Sequence, residues 1–395
     1  MRTRLKHIDY LILIPYLLLI GVGIVMVYSA SSDNLTVQGL PATMYLKRQA
    51  IFAVIGIFLA AFSFFIALRV VEDGRLTRLA VLVTLLLLAI LVVMRYLRPS
   101  MAINGSVAWF KVGPVNVQPV EIAKLVLILY LARILSRREE KLTELRTALH
   151  QLTAPMIVAG LMAVLVLWEP DVGGTAILLT LTIIMLAASG IRWYYSTSFV
   201  GFVLLCIVGM LSFLRTAHLP WIEDSYQFKR LLAFFTPFKL ENSGGRQLVN
   251  SYYAISNGGF FGVGLGNSIQ KKGYLPEPYT DFIMSITTEE LGIIGAIIIL
   301  SILTFLICRI ILVGVRSRSA YRSLLCYGIG AWLFIQTVFN IGGMLGILPL
   351  TGVTLPFISY GGSSTMMLSI GVGLVMNVSS MEQIEKERAW ASATA

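Results

Sequence analysis

Long apolar runs separated by short polar breaks repeat along the chain from one end to the other. A run of about 20 residues crosses a ~30 Å hydrocarbon core as a helix. Ten such spans are predicted, at 9–31, 48–70, 77–97, 119–136, 153–169, 173–191, 196–217, 283–315, 322–345 and 362–381. The first, "DYLILIPYLLLIGVGIVMVYSA", and the eighth, "LGIIGAIIILSILTFLICRIILVGV", show the pattern most plainly. The fourth is interrupted by Glu121 and Lys124. A long interval, about 216–282, separates the seventh span from the eighth; its aromatic and apolar content is that of an ordered, functional loop rather than a linker. Within it "RQLVNSYYAI" has the spacing of a short amphipathic helix. The expected fold is an all-α polytopic membrane protein: one integral membrane domain over 1–395, ten transmembrane helices, and a large extracellular loop between helices 7 and 8.

Composition supports the pattern. Of the 395 residues 57% are hydrophobic and 13% charged, with mean hydropathy +0.82; soluble domains run near a quarter charged. The apolar run after "MRTRLKH" is too long for a cleavable signal peptide and lacks a small-residue cleavage pattern. Cys206, Cys308 and Cys326 fall inside apolar runs and offer neither a disulfide framework nor metal-ligand spacing. The net charge of +11 raises the question of nucleic acid, but its distribution answers differently. With a cytoplasmic N-terminus, the cytoplasmic segments hold 18 Lys and Arg and the short outer loops 5. That asymmetry places both termini in the cytoplasm and leaves no nucleic-acid partner to expect.

Candidate chemistry gathers at the outer ends of the spans. "YLPEPYTDFIMSITTEELG" (274–292) puts three carboxylates at or inside the entrance of the eighth span, where charge is costly. Asp281 follows a proline-stiffened turn; it is either a helix cap or a reactive group. Glu289 and Glu290 are adjacent, so at most one shares a helix face with Asp281. "WFKVGPVNVQPVEIAKL" places Glu121 and Lys124 three residues apart, either a local ion pair or a lysine turned towards an anionic headgroup. Asp171, in "WEPDVGGT", reads as a turn or cap residue. "LPLTGVTLPFISYGGSST" is uncharged and hydroxyl-rich, and must line a cavity or be buried in protein.

Three histidines, His7, His150 and His218, give no support to a triad, and no HExxH or Walker motif is present. Outer carboxylates mixed with Lys111, Lys124, Arg230, Arg246, Lys271 and Lys272 instead suit a lipid-linked phosphate: cations for a pyrophosphate, a carboxylate for a hydroxyl proton.

At this point the motifs resemble one family, the SEDS proteins (shape, elongation, division and sporulation), the FtsW/RodA class of peptidoglycan glycosyltransferases. The resemblance runs through "VYSASS", "NGSVAWFKVGPVNVQPVEIAKL", "EPDVGG", "KRLLAFFTP", "GNSIQKKGYLPEPYTDFI", "EELG" and "LPFISYGGSS", and "GNSIQK" before "YLPEPYTDFI" looks more like FtsW than RodA. It implies polymerisation of lipid II into β-1,4 glycan at the outer face of a bacterial cytoplasmic membrane, in septal synthesis during division. Asp281 matches the family's essential aspartate, and Glu121 and Lys124 match its acid and lysine. Gln247, Lys271, Glu277 and the segment carrying Ser359 and Ser363 also align with family motifs. The implied partners are lipid II, the nascent glycan strand, a class B penicillin-binding protein with transpeptidase activity, and divisome proteins. The pyrophosphate would be neutralised by lysine, arginine or a divalent cation (Mg2+ or Mn2+), with no organic cofactor. The chain departs from the family pattern at Ala108, Glu169, Gly174 and Thr236, which bears on the cations around the pyrophosphate. A lipid II flippase, an elongation-type RodA polymerase and a non-enzymatic scaffold are the alternatives.

Overall fold

The computed structural model describes residues 2–97, 108–112, 115–137, 145–190, 234–241 and 244–394, with residues 197, 201 and 209. Ten helices build the described molecule: α1 (Tyr10–Val37), α2 (Met44–Phe65), α3 (Gly74–Leu97), α4 (Pro119–Ser136), α5 (Leu145–Trp168), α6 (Val172–Ala187), α7 (Arg246–Gly258), α8 (Ile283–Arg316), α9 (Ala320–Met344) and α10 (Gly362–Thr394). Short helical turns at Arg2–Lys6 and Leu68–Val71 join them. Nine of the ten expected spans coincide with a helix, namely all of these but α7; the seventh, 196–217, lies outside the described residues apart from 197, 201 and 209. Six helices (α1, α2, α3, α8, α9, α10) are long and apolar enough to cross a membrane.

The fold is not purely helical. Between α3 and α4, Phe110–Val112 (β1) and Val115–Val117 (β2) pair antiparallel in a small hairpin. "FKVGPVNV" alternates apolar and polar residues around Gly113 and Pro114, which is hairpin chemistry inside an otherwise helical sequence.

The spans are apolar all round, so side-chain size and buried polar contacts set their packing. α10 runs against α2, where a Cβ on Gly373 would come within 2.2 Å of the Ala60 carbonyl. Tyr16 of α1 donates to Ser369 of α10 (2.8 Å), and Asn377 caps the end of α2 through the carbonyls of Ser63 (3.1 Å) and Ile66 (2.6 Å). α9 packs against α4, α6 and α8, with Trp332 wholly buried. In these helices water is replaced by specific side chains as the partner of backbone groups.

α8 is broken at Gly292, which holds φ +72° and ψ 176°. Only glycine takes that conformation without strain. The break is repaired by the loop after α7: Val263 and Gly264 donate to the carbonyls of Glu289 and Glu290 (2.9 and 3.0 Å), while Ile293 and Ile294 donate to Gly259 and Phe260 (3.0 and 3.3 Å). The loop after α7 therefore docks into α8 as if it were its missing turn.

Candidate active site

The turn before α8 is gripped by the uncharged segment joining α9 to α10 together with Asn340 of α9. The carbonyls of three successive residues are each taken. Tyr360 N–H donates to Tyr279 (2.8 Å), the Ser359 hydroxyl to Thr280 (2.7 Å), and the Asn340 amide to Asp281 (3.0 Å). Asn340 also holds Val353 (2.8 Å). One turn earlier on α9, Gln336 holds Thr354 (3.0 Å) and Ser364 (2.9 Å). The backbone of Asp281 is thereby fixed, while its side chain remains half-exposed. It is not the cap of α8: that position is Phe282, which carries no side-chain cap bond.

Glu289 and Glu290 diverge, as neighbours on a helix must. Both are buried. Glu289 accepts from the Asn257 amide (2.8 Å), the Ser268 hydroxyl, and the N–H groups of Ile269 and Gln270 (3.1 and 3.3 Å). Glu290 accepts from Ser29 of α1 (2.6–2.7 Å) and from the Lys271 ammonium (2.9 Å). The two acids fasten the loop after α7 to the broken helix. Lys271 is 1% exposed and also lies near Ser29 (3.3 Å) and Asp33 (3.9 Å); its charge is committed to the protein.

Lys124 and Glu121, on α4, form the ion pair that their spacing allows, at 2.6 Å and buried. The ammonium also stands 5.4 Å from the Trp332 ring centroid. The second oxygen of Glu121 is buried with no hydrogen-bond partner among the described residues. Asp171 caps α6 by accepting from Gly174 N–H (2.7 Å). Burial raises its pKa, with Glu121 adding to the rise, against the Gly174 bond and Lys124, which lower it. That coupling brings Asp171 electrostatically to the Glu121–Lys124 pair.

The other expected residues are spread around this end. Lys111 is exposed on β1. Ser363 accepts from Gln118 N–H (3.0 Å) and donates to the Asn116 carbonyl (2.8 Å), pinning the hairpin to the start of α10. Arg246, exposed at the start of α7, reaches the Gly273 carbonyl (3.3 Å), and Gln247 beside it is half-buried. Glu277 is exposed, with φ +53°, and accepts from the Thr280 hydroxyl (3.2 Å). Arg230 lies outside the described residues.

Glu277 also lines a cavity of about 280 Å3 with Asn34, Gln38, Tyr45, Leu275 and Tyr279. Tyr45 packs against Tyr279 and Tyr360 with tilted rings, each at 4.7 Å between centroids. Burial raises the Tyr279 and Tyr360 phenols, which stay protonated. Among the described residues no three His, Cys, Asp or Glu side chains converge on one point.

Sequence reasoning passed over Gln336 and Asn340, whose signal was available: two amides four residues apart in an apolar span share one helix face. It also passed over Gln49, Asn257 and Ser268.

Fold and site together define a multi-pass helical membrane protein whose polar side chains converge at one end around a clamped aspartate. The chain belongs to the FtsW/RodA/SpoVE family of cell cycle proteins, whose model matches residues 9–384. It is 39% identical to the probable peptidoglycan glycosyltransferase FtsW of Lactococcus lactis, over 96% of this chain and 94% of that one. It is 35% identical to the stage V sporulation protein E of Bacillus subtilis, over 96% and 99%. Among solved structures it resembles a chain of a peptidoglycan synthase complex described as coordinating polymerisation and crosslinking, with TM-score 0.76, 27% identity, and coverage of 95% and 98%. The rod shape determining protein RodA of Thermus thermophilus follows at TM-score 0.64 and 27% identity, covering 94% and 96%.

Proposed function

We propose that the protein is an FtsW-type peptidoglycan glycosyltransferase that polymerises lipid II at the outer face of the bacterial cytoplasmic membrane during septal wall synthesis. Full-length similarity to proteins named for that activity supports the class. The observation that carries the mechanism is the triple backbone clamp on Tyr279, Thr280 and Asp281, which fixes the position of a half-exposed carboxylate.

In this reading Asp281 takes the proton from the 4-hydroxyl of the acceptor's N-acetylglucosamine. The oxygen attacks the anomeric carbon of the donor's N-acetylmuramic acid, and the bond to undecaprenyl pyrophosphate breaks with its electrons. Direct displacement converts an α-linked donor into a β-1,4 linkage. One carboxylate is enough because the pyrophosphate leaves as a stable anion, unlike the leaving group of a glycosidase. Lys124, Arg246, Lys111 and Arg230 are the proposed cations for that anion, with Glu121 and Asp171 setting the field around Lys124. Glu277, Gln247 and the Ser359–Ser363 segment shape the walls. Lys271 is reassigned to holding the loop after α7, because Glu290, Ser29 and Asp33 all surround its ammonium, whereas Lys124 has one carboxylate oxygen. A divalent cation, if used, would be held chiefly by the phosphates. Both termini lie in the cytoplasm, and the transpeptidase is supplied by a class B penicillin-binding protein alongside divisome proteins.

The test is to incubate the purified protein with lipid II, alone and with such a partner. Glycan polymer in either arm is the expected result. Translocation of lipid II without polymer in both arms would move the protein to the flippase class.

A further inference from the structure

The sequence gives α7 the spacing of an amphipathic helix, and such a helix can lie on a membrane. In the structure its apolar side turns inward instead. Leu248, Val249 and Ala254 are buried, and Ser251 bonds to Ser285 (2.8 Å) and to the Met344 carbonyl (3.0 Å). The open apolar surface belongs to the loop that follows. Phe260 and Phe261 are 73% and 84% exposed, within a run from Gln247 to Gln270 that carries no charged residue. Large apolar side chains left open side by side mark a surface that something else covers.

Their position along α8 indicates what that is. From Ile283 to Glu290 the helix is buried at every residue. Beyond the break at Gly292 it divides into two faces: Ala296, Leu303 and Ile310 are buried, whereas Ile294, Ile298 and Phe305 are open. That is a span with one side against protein and the other against lipid. The stretch Ile293–Arg316 is about 35 Å long at 1.5 Å per residue, enough to cross a ~30 Å hydrocarbon core, and Arg316 and Arg318 close its far end. Its near end is therefore the first turn after Gly292. The loop is bonded at that level, where the carbonyls of Gly259 and Phe260 accept from the N–H groups of Ile293 and Ile294 (3.0 and 3.3 Å). The open apolar surface of the loop thus starts where the lipid-facing side of the helix starts. A water-soluble partner would cover the rings and leave the isoleucines to lipid; a bilayer covers both.

We propose that Phe260 and Phe261 anchor the loop after α7 in the bilayer, their rings entering the boundary between headgroups and hydrocarbon beside the first turn of α8 beyond Gly292. The same loop continues through Lys271 to Asp281, so the anchor ties it to the membrane plane as well as to α8. The inference rests on the membrane-spanning fold and not on the glycosyltransferase reading.

Electron paramagnetic resonance tests this on the full chain in nanodiscs of phosphatidylglycerol and phosphatidylethanolamine. With Cys206, Cys308 and Cys326 replaced by alanine, a nitroxide is attached at Phe260→Cys, at Phe261→Cys or, as the reference in water, at Lys272→Cys, an exposed cation further along the loop. Dissolved oxygen concentrates in hydrocarbon and a polar nickel chelate in water. The ratio of oxygen to nickel relaxation should be several-fold higher at positions 260 and 261 than at 272. An equal ratio at all three positions would overturn the proposal and leave the rings to a protein partner. Should the cysteine variants fail to fold, Phe261→Trp keeps an aromatic ring. Its added emission, taken as the difference from wild type, should be quenched in vesicles of phosphatidylcholine brominated near the headgroup end of the acyl chains, and unquenched emission would equally overturn the proposal.

Discussion

Two lysines are almost completely buried near the end of the molecule that carries Asp281, and their surroundings differ. Lys271 is saturated, with Glu290 at 2.9 Å, Ser29 at 3.3 Å and Asp33 at 3.9 Å. Lys124 has a single carboxylate oxygen at 2.6 Å and a tryptophan face, and the other oxygen of that carboxylate has no partner among the described residues. A buried polar group left short of partners is expensive. Where a protein keeps one, a ligand is the natural completion. Lys271 reads as a fastener, and Lys124 is the one of the two that we propose for the substrate site.

Mutations can break this contrast. The largest effect expected is from Lys271→Met, which strands Glu290 and should cost about 3–5 kcal/mol in unfolding measurements. Adding Glu290→Gln should restore most of that stability together with lipid II polymerisation. The matching pair, Glu121→Gln with Lys124→Met, should also restore stability relative to Lys124→Met alone, yet leave polymerisation down about 100-fold, the size of one lost electrostatic contact to a developing anion. Recovery of activity in both doubles would erase the distinction. Gly292→Ala should cost about 1–3 kcal/mol from backbone strain, and more where its Cβ meets the Phe260 carbonyl at 2.2 Å; an unchanged melting temperature would refute the docked-loop account. Asp171→Ala should cost about 1 kcal/mol as a lost helix cap.

The smallest effect belongs to the opposite end. The hydrogen bond from Arg322 lowers the pKa of Glu385 below its ordinary 4.5. A depressed carboxylate stabilises at neutral pH and stops doing so as pH falls through its folded value. Glu385→Gln should therefore cost less than about 1 kcal/mol at pH 7, and the difference from wild type should vanish in acid below the ordinary carboxylate range.

Much of this was legible in the sequence, because apolar period and span length determine helices in a membrane. Nine spans and α7 lie where the pattern puts them. The Glu121–Lys124 pair and the Asp171 cap follow from local spacing alone. What stayed hidden depends on distant partners. Nothing near Lys271 in the chain reveals that Glu290, 19 residues on, and Ser29, 242 residues away, consume its charge. The break at Gly292 is equally silent, since the groups that repair it come from residues 259–264. The clamp on residues 279–281 requires α9 and the α9–α10 segment to arrive together, which no single stretch encodes.

The central claim is that Asp281, half-exposed and held in place through its backbone, supplies the catalytic carboxylate. Asp281→Asn tests it most directly, because the amide keeps the shape and leaves every carbonyl clamp in place. Measured on purified protein with lipid II, polymer formation should fall by about 10²–10⁴-fold, the range of a lost general base, while the melting temperature stays that of the wild type. Near-wild-type polymerisation by Asp281→Asn would contradict the account.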